Sequence, residues 1–80
     1  MTLKEQLDVI DLMMPIKLVL RSYPGGKTKY AVLKSDITCH DLWGLIYNDE
    51  AYMRYANLEV NFISTMASKK IFEICIEENL

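Results

Sequence analysis

The sequence predicts an α+β fold in which an antiparallel sheet of about four strands is covered on one face by helices. Three observations predict it: two threonine-led helix caps, two stretches in which apolar and polar residues alternate, and a glycine-containing turn. A chain of 80 residues has room for one core. We therefore expect residues 1–80 to form one domain, with an N-terminal helix and a central helical segment packed on one face of two hairpins.

The first predicted element is an N-terminal helix. Thr2 and Glu5 have the spacing of a capping box, in which each side chain satisfies a backbone amide near the other residue. Pro15 should end the helix, because proline pushes the preceding residue out of the helical region. Between these limits an apolar stripe recurs at helical spacing, made of Leu3, Leu7, Ile10 and Met14.

A hairpin should follow Pro15. The apolar residues Ile16, Leu18 and Leu20 alternate with Lys17, Val19 and Arg21, which is the period of a strand. The glycines of the segment 23–26 suit a turn, and residues 28–34 return as a second strand.

The second half repeats this order loosely. Thr38 and Asp41 resemble a helix cap, and the helical segment that they open is interrupted at residues 48–50. It forms either one bent helix to Tyr55 or two short helices, the second starting at Glu50. Strand alternation then returns twice around a polar turn at 67–70. Its apolar members are Leu58, Val60 and Phe62 in one strand and Phe72, Ile74 and Ile76 in the other.

Composition and charge limit the classes of function that this chain can have. Residues 1–35 carry six basic and three acidic side chains, whereas residues 36–80 carry three basic and eight acidic ones. No apolar run approaches the roughly 20 residues of a membrane span, and the N-terminus lacks a secretory signal pattern. We therefore expect a cytoplasmic protein without a membrane partner, in which Cys39 and Cys75 stay reduced.

The sequence does not predict an enzyme. Cys39, His40 and Asp41 are adjacent, but a nucleophilic cysteine needs a base positioned by the fold, and a zinc site needs ligands from separated pairs. Cys39 is better explained as a small packing residue at a helix start. Phosphate-loop and dinucleotide-binding motifs are also missing. We expect no catalytic residue, no metal site and no cofactor.

Two groups of residues are candidates for binding a protein partner. Aromatic residues beside an arginine are typical of interfaces. A domain this small uses its large aromatics for burial first, so we favour the core interpretation, in which Trp43 and two of the tyrosines close the core with their hydroxyls reaching solvent. The acidic outer face of the last hairpin is the second group. The candidates are Trp43, Tyr47, Tyr52, Arg54, Tyr55, Glu59, Glu73 and Glu77. Self-association through an exposed strand edge is a further expectation.

The basic first hairpin suggests an alternative, a small regulator that binds nucleic acid. Lysine and arginine side chains can follow phosphates, and neighbouring tyrosines can stack on bases. The residues concerned are Lys17, Arg21, Lys27 and Lys29. Overall acidity and the lack of a known recognition motif argue against this alternative.

The start Met1-Thr2-Leu3-Lys4-Glu5, the apolar segment before Pro15, and the strand leading to Lys34-Ser35-Asp36 resemble a group of short uncharacterised proteins. These "MTLKE"-type proteins are encoded in phages and mobile elements of Gram-positive gut bacteria. The resemblance implies no activity and supplies no functional residues. With the acidic hairpin face and the aromatic segment as possible contact surfaces, our first hypothesis is a non-enzymatic accessory protein of a mobile element that binds another protein, for instance as an inhibitor of a host factor.

Overall fold

The computed structural model describes residues 1–66 and 70–78. Within these ranges seven helices and strands follow one another, with a short 3-10 turn at Pro24–Gly26 between the first two strands. They are α1 (Leu3–Leu7), β1 (Pro15–Ser22), β2 (Lys29–Thr38), α2 (Cys39–Asn48), α3 (Glu50–Met53), β3 (Glu59–Met66) and β4 (Ile71–Glu77). None of the helices in the described ranges has the length and apolar character that a membrane crossing requires.

The α+β class, the four strands and the two hairpins are confirmed. The strands form one sheet in the order β2-β1-β4-β3, and both hairpins pair antiparallel. The sheet as a whole is mixed rather than antiparallel, because β1 and β4 pair in parallel at its centre. Parallel neighbours need a long crossover connection. Here β2, the two later helices and β3 together supply it.

The core lies between the helices and one face of the sheet, as predicted. On β1, Ile16, Leu18 and Leu20 point into it, and Ile74 and Ile76 of β4 meet them from the neighbouring strand. The helices and the segment after α3 complete the core with Leu3, Leu7, Cys39, Leu42, Ile46 and Ala56. Burial of these aliphatic side chains is the main term that stabilises so small a domain.

The N-terminal helix is much shorter than predicted. Its capping box is present, but α1 ends at Leu7, well before Pro15. The carbonyls of Leu12 and Met14 accept the backbone N–H groups of His40 and Cys39, both at 2.9 Å. Residues 8–14 thus form turns whose carbonyls satisfy the first amides of α2, and a continuous helix would direct those carbonyls elsewhere.

The central helical segment is two helices, which decides between the two predicted forms. The Thr38 hydroxyl accepts the N–H of Asp41 at 3.1 Å, so this cap is confirmed. Asp49 is extended, with ψ near 116°, and its carboxylate accepts the N–H of Ala51 at 2.9 Å. One residue therefore ends α2 and caps α3.

The strands depart from simple alternation at bulges. A register shift between Val60 and Phe62 places these two residues on opposite faces of the sheet, so their predicted common face is wrong. The second strand extends beyond its predicted end to Thr38 across two irregular positions, and Asp36 there has a positive φ of 55°. The predicted turn at 67–70 lies mostly outside the described residues.

The capping box of α1 should contribute measurably to stability. Replacing Thr2 by Ala should lower the free energy of unfolding by about 1 kcal/mol, because the N–H of Glu5 loses its acceptor. The measurement is urea denaturation at pH 7, with Thr28→Ala in the loop before β2 as the control. Equal stability of both variants would contradict this role of the cap.

The same box should make stability depend on pH. The Glu5 carboxylate accepts the backbone N–H and the hydroxyl of Thr2, and these bonds lower the pKa of Glu5 below its ordinary 4.5. A carboxyl with a lowered folded pKa stabilises fully above the unfolded value and loses that contribution as pH falls through the folded value. Glu5→Gln should therefore show a smaller loss of stability below pH 4.5 than the parent chain. Identical pH profiles would contradict the assignment.

Candidate functional site

The sheet has one face without helices, which we call the open face. Residues that pair directly across strands point to the same side of a sheet. The outward residues of β1 therefore stand beside the outward residues of β4. They are Lys17, Val19 and Arg21 on β1 and Glu73, Cys75 and Glu77 on β4. The two predicted charged faces, one basic and one acidic, are thus neighbours on a single surface.

Ion pairs join these two rows. Lys17 Nζ lies 3.5 Å from Glu73 Oε2, and Arg21 Nε lies 4.0 Å from Glu77 Oε1. The hydroxyl of Tyr23 donates a hydrogen bond to Glu77, and this bond raises the pKa of Tyr23 above its ordinary value. The charge difference between the two halves of the sequence is therefore compensated inside the fold.

A row of apolar residues crosses the open face between the two ion pairs. It contains one residue from each strand, in the order Val32, Val19, Cys75 and Phe62, and we call it the apolar band. Val19 and Cys75 are buried, whereas Val32 is 56% exposed and Phe62 is 42% exposed. Sequence reasoning missed this band. One feature of the sequence could have indicated the band, because Val19 and Cys75 are uncharged residues at outward strand positions between charged ones.

The aromatic candidates separate into two groups. Tyr52 and Tyr55 pack against the core, as the core interpretation predicts. Trp43 and Tyr47 project from α2 with 39% and 40% of their surfaces exposed, so the expectation that Trp43 closes the core is wrong. Their ring centroids are 4.4 Å apart. We call these two residues the aromatic pair.

Arg54 and Glu59 each have a nearby partner. The Arg54 guanidinium bonds Glu78 at 3.2 Å and lies 4.8 Å from the Tyr55 ring centre. Glu59 accepts the N-terminal ammonium of Met1 at 2.9 Å, and this contact raises the pKa of that amine. The Met1 carbonyl also accepts the N–H of Val60, so the N-terminus covers part of the β3 edge.

The four basic candidates do not form one patch. Lys17 and Arg21 lie on the open face, whereas Lys27 follows the 3-10 turn and Lys29 begins β2 opposite Ser22. Arg21 lies over two rings, 5.3 Å from the centre of Tyr23 and 5.8 Å from that of Tyr30. The guanidinium is thus held among aromatic rings and a carboxylate.

The segment 39–41 is arranged as a helix start. Cys39 is fully buried and its thiol donates to the Leu7 carbonyl at 3.4 Å. Burial raises the pKa of Cys39, which favours the protonated thiol over the nucleophilic thiolate. His40 and Asp41 are exposed, with His40 Nδ1 3.6 Å from Asp41 Oδ1. Across residues 1–66 and 70–78, histidine, cysteine and acidic side chains do not gather in threes as a metal site would require.

A shallow depression of about 410 Å³ lies beside the turns that replace the predicted helix. It is lined by Asp11, Met13, Met14, Pro15 and Lys70. Sequence reasoning placed both methionines in a helix and so could not foresee it.

Comparison of the chain with profiles of protein families, with curated proteins and with solved structures finds no match. The surfaces described above are therefore the basis for assigning a function.

The pairing of Lys17 with Glu73 should contribute to the register of the two central strands. We expect Lys17→Glu to lower the free energy of unfolding by about 1 kcal/mol, because two carboxylates would then face each other. The double variant K17E/E73K should recover most of that loss in urea denaturation at low protein concentration. Lys27→Glu in the turn is the control for the change in net charge. Additive losses in the double variant would contradict a specific pair.

Proposed function

We propose that this chain is a small non-enzymatic accessory protein, in the manner of phage and mobile-element proteins, that binds another protein through the aromatic pair. The observation that carries the proposal is the joint exposure of Trp43 and Tyr47, whose rings are in contact on α2. Interference with a host factor is the mode of action that such a role suggests.

The chemistry of the pair supports a protein partner. Tryptophan and tyrosine dominate the residues whose truncation weakens protein complexes, since each buries a large area and keeps a polar atom for hydrogen bonding. The tilted contact between the rings, with centroids 4.4 Å apart, limits the rotamers of both side chains before a partner arrives. Less side-chain entropy is then lost on binding.

The electrostatics of the first hairpin favour a protein partner over a nucleic acid. Lys17 and Arg21 contact Glu73 and Glu77. A phosphate approaching these bases would also meet the carboxylates, and the whole chain has a formal charge of −2. Nucleic-acid affinity depends chiefly on unopposed positive charge along a surface.

The proposal is tested with the double variant Trp43→Ala and Tyr47→Ala. Immobilised parent chain should capture a protein from a lysate of its host, and the purified protein should bind the parent chain directly. The double variant should lose at least tenfold in affinity, since two interface aromatics are removed. Circular dichroism checks that the variant remains folded.

The matched control is Met53→Ala, which removes an exposed apolar side chain from the neighbouring helix α3. It should bind as the parent chain does. Failure to capture any protein, or equal binding by the double variant and the parent, would contradict a role for the aromatic pair.

A second measurement tests the choice between partner classes. We expect no binding of single- or double-stranded DNA or RNA at about 20 mM salt, where electrostatic binding is strongest. Fluorescence anisotropy with labelled oligonucleotides is the readout. Salt-sensitive binding that falls in a variant carrying Lys27→Ala and Lys29→Ala would favour the nucleic-acid regulator instead.

A further inference from the structure

We infer that the open face is the interface of a symmetric homodimer, in which a second copy of this chain packs its own open face against the first. The aromatic pair is on α2, and the helices cover the other face of the sheet. The inference therefore goes beyond the proposed function and does not depend on it.

The charge pattern on the two central strands makes the open face complementary to itself. The basic strand β1 and the acidic strand β4 lie side by side and run in the same direction. Consider a two-fold axis that lies above the open face, runs parallel to the strands and is centred between β1 and β4. This axis places β1 of each copy over β4 of the other. Lys17 then faces Glu73 of the second copy, and Arg21 faces Glu77 of the second copy.

The alternative two-fold axis, perpendicular to the strands, would bring like charges together. It would place β1 over β1 and β4 over β4, so that Lys17 of one copy faces Arg21 of the other. Glu73 and Glu77 would face each other in the same way. Like-charge contacts of this kind act against an arrangement, and the charge pattern therefore selects the axis parallel to the strands.

The apolar band fits the same arrangement. With the axis along the strands, Val32 lies over Phe62 of the second copy, and Val19 lies over Cys75. The two exposed members of the band, Val32 and Phe62, would both leave water. Aligned sheets cross at about 30°, so the contacts nearest the axis keep the closest register.

One property of the isolated chain indicates that this face is covered. A parallel strand pair is normally buried on both faces of its sheet. In the residues that the structure describes, helices cover only one face of β1 and β4. Packing against a second copy would cover the other face.

The available area limits the affinity. Four strands at about 4.8 Å spacing and seven residues at about 3.3 Å rise give a plane of roughly 450 Å² per copy. Two such planes bury about 900 Å² before side-chain relief is counted, which is below the roughly 1,200 Å² of stable specific interfaces and in the range of weak, transient ones. We therefore expect a reversible dimer whose population depends on concentration.

The test uses the purified full chain and measures mass by sedimentation equilibrium. The parent chain should pass from monomer to dimer between about 1 µM and about 1 mM, a range that covers weak and moderate association. Val32→Glu and Phe62→Glu should each remain monomeric across that range, because each buries a carboxylate opposite an apolar residue. Met53→Glu, which has similar exposure on the helix side, should dimerise as the parent does.

A rescue variant tests the axis. In V32E/F62K the new glutamate faces the new lysine of the second copy, so dimerisation should return and weaken with salt. Three strand spacings, about 14 Å, separate the two positions within one chain. A bridge inside the monomer therefore cannot account for the rescue. With the perpendicular axis, the variant would place Glu over Glu and Lys over Lys and stay monomeric.

Three results would overturn the inference. They are a monomeric parent chain at about 1 mM, a dimer that persists in both glutamate variants, and failure of V32E/F62K to recover. Persistence of the dimer would indicate pairing through a strand edge. Because partner capture does not enter these measurements, their failure leaves the role of the aromatic pair intact, and W43A/Y47A should dimerise normally.

Discussion

The parallel pairing of β1 with β4 is the constraint on which the rest of the structure depends. It joins two hairpins that would each be only marginally stable alone. On the helix side it brings Leu18 beside Ile74 and creates the apolar surface that the helices cover. On the open side the same register sets Lys17 beside Glu73. Buried aliphatic contacts supply most of the stabilisation, and the partly exposed ion pair adds specificity for this register at little net energy.

Structural features that arise from neighbouring residues could be predicted from the sequence, whereas features that depend on contacts between distant segments could not. The two threonine caps, the glycine turn and the strand alternation are local, and each followed from a few neighbouring residues. The end of α1 at Leu7 depends on α2, whose first amides take the carbonyls of Leu12 and Met14. The bulge near Asn61 and the parallel central pair likewise arise from contacts between distant segments. Hydrophobic period alone carries no information about such pairings.

The candidate site likewise combines features that the sequence predicts with features that depend on the whole fold. Residue type pointed to aromatic residues in the central segment. Which of them face the core depends on the buried face of α2, formed by Leu42 and Ile46, and on the helix break at Asp49. Trp43 and Tyr47 lie before the break and project outward, whereas Tyr52 and Tyr55 lie after it and pack inward. Lys17, Arg21, Glu73 and Glu77 lie on the outer faces of their strands, as predicted. Their mutual neutralisation depends on the sheet order, which neither hairpin encodes by itself.

The neutralisation of charge on the open face limits the kinds of partner that this face can bind. A surface whose basic and acidic rows neutralise each other attracts neither polyanions nor polycations strongly. A partner of this surface must therefore be recognised by shape, apolar area and the order of the charges. In the proposed dimer, two copies would supply that order without any further protein, because each would present the complement of the other. The helices of such a dimer face outward and would display two aromatic pairs on opposite sides. A partner with repeated sites would then be held by two weak contacts at once, which raises avidity only when both sites can be reached together.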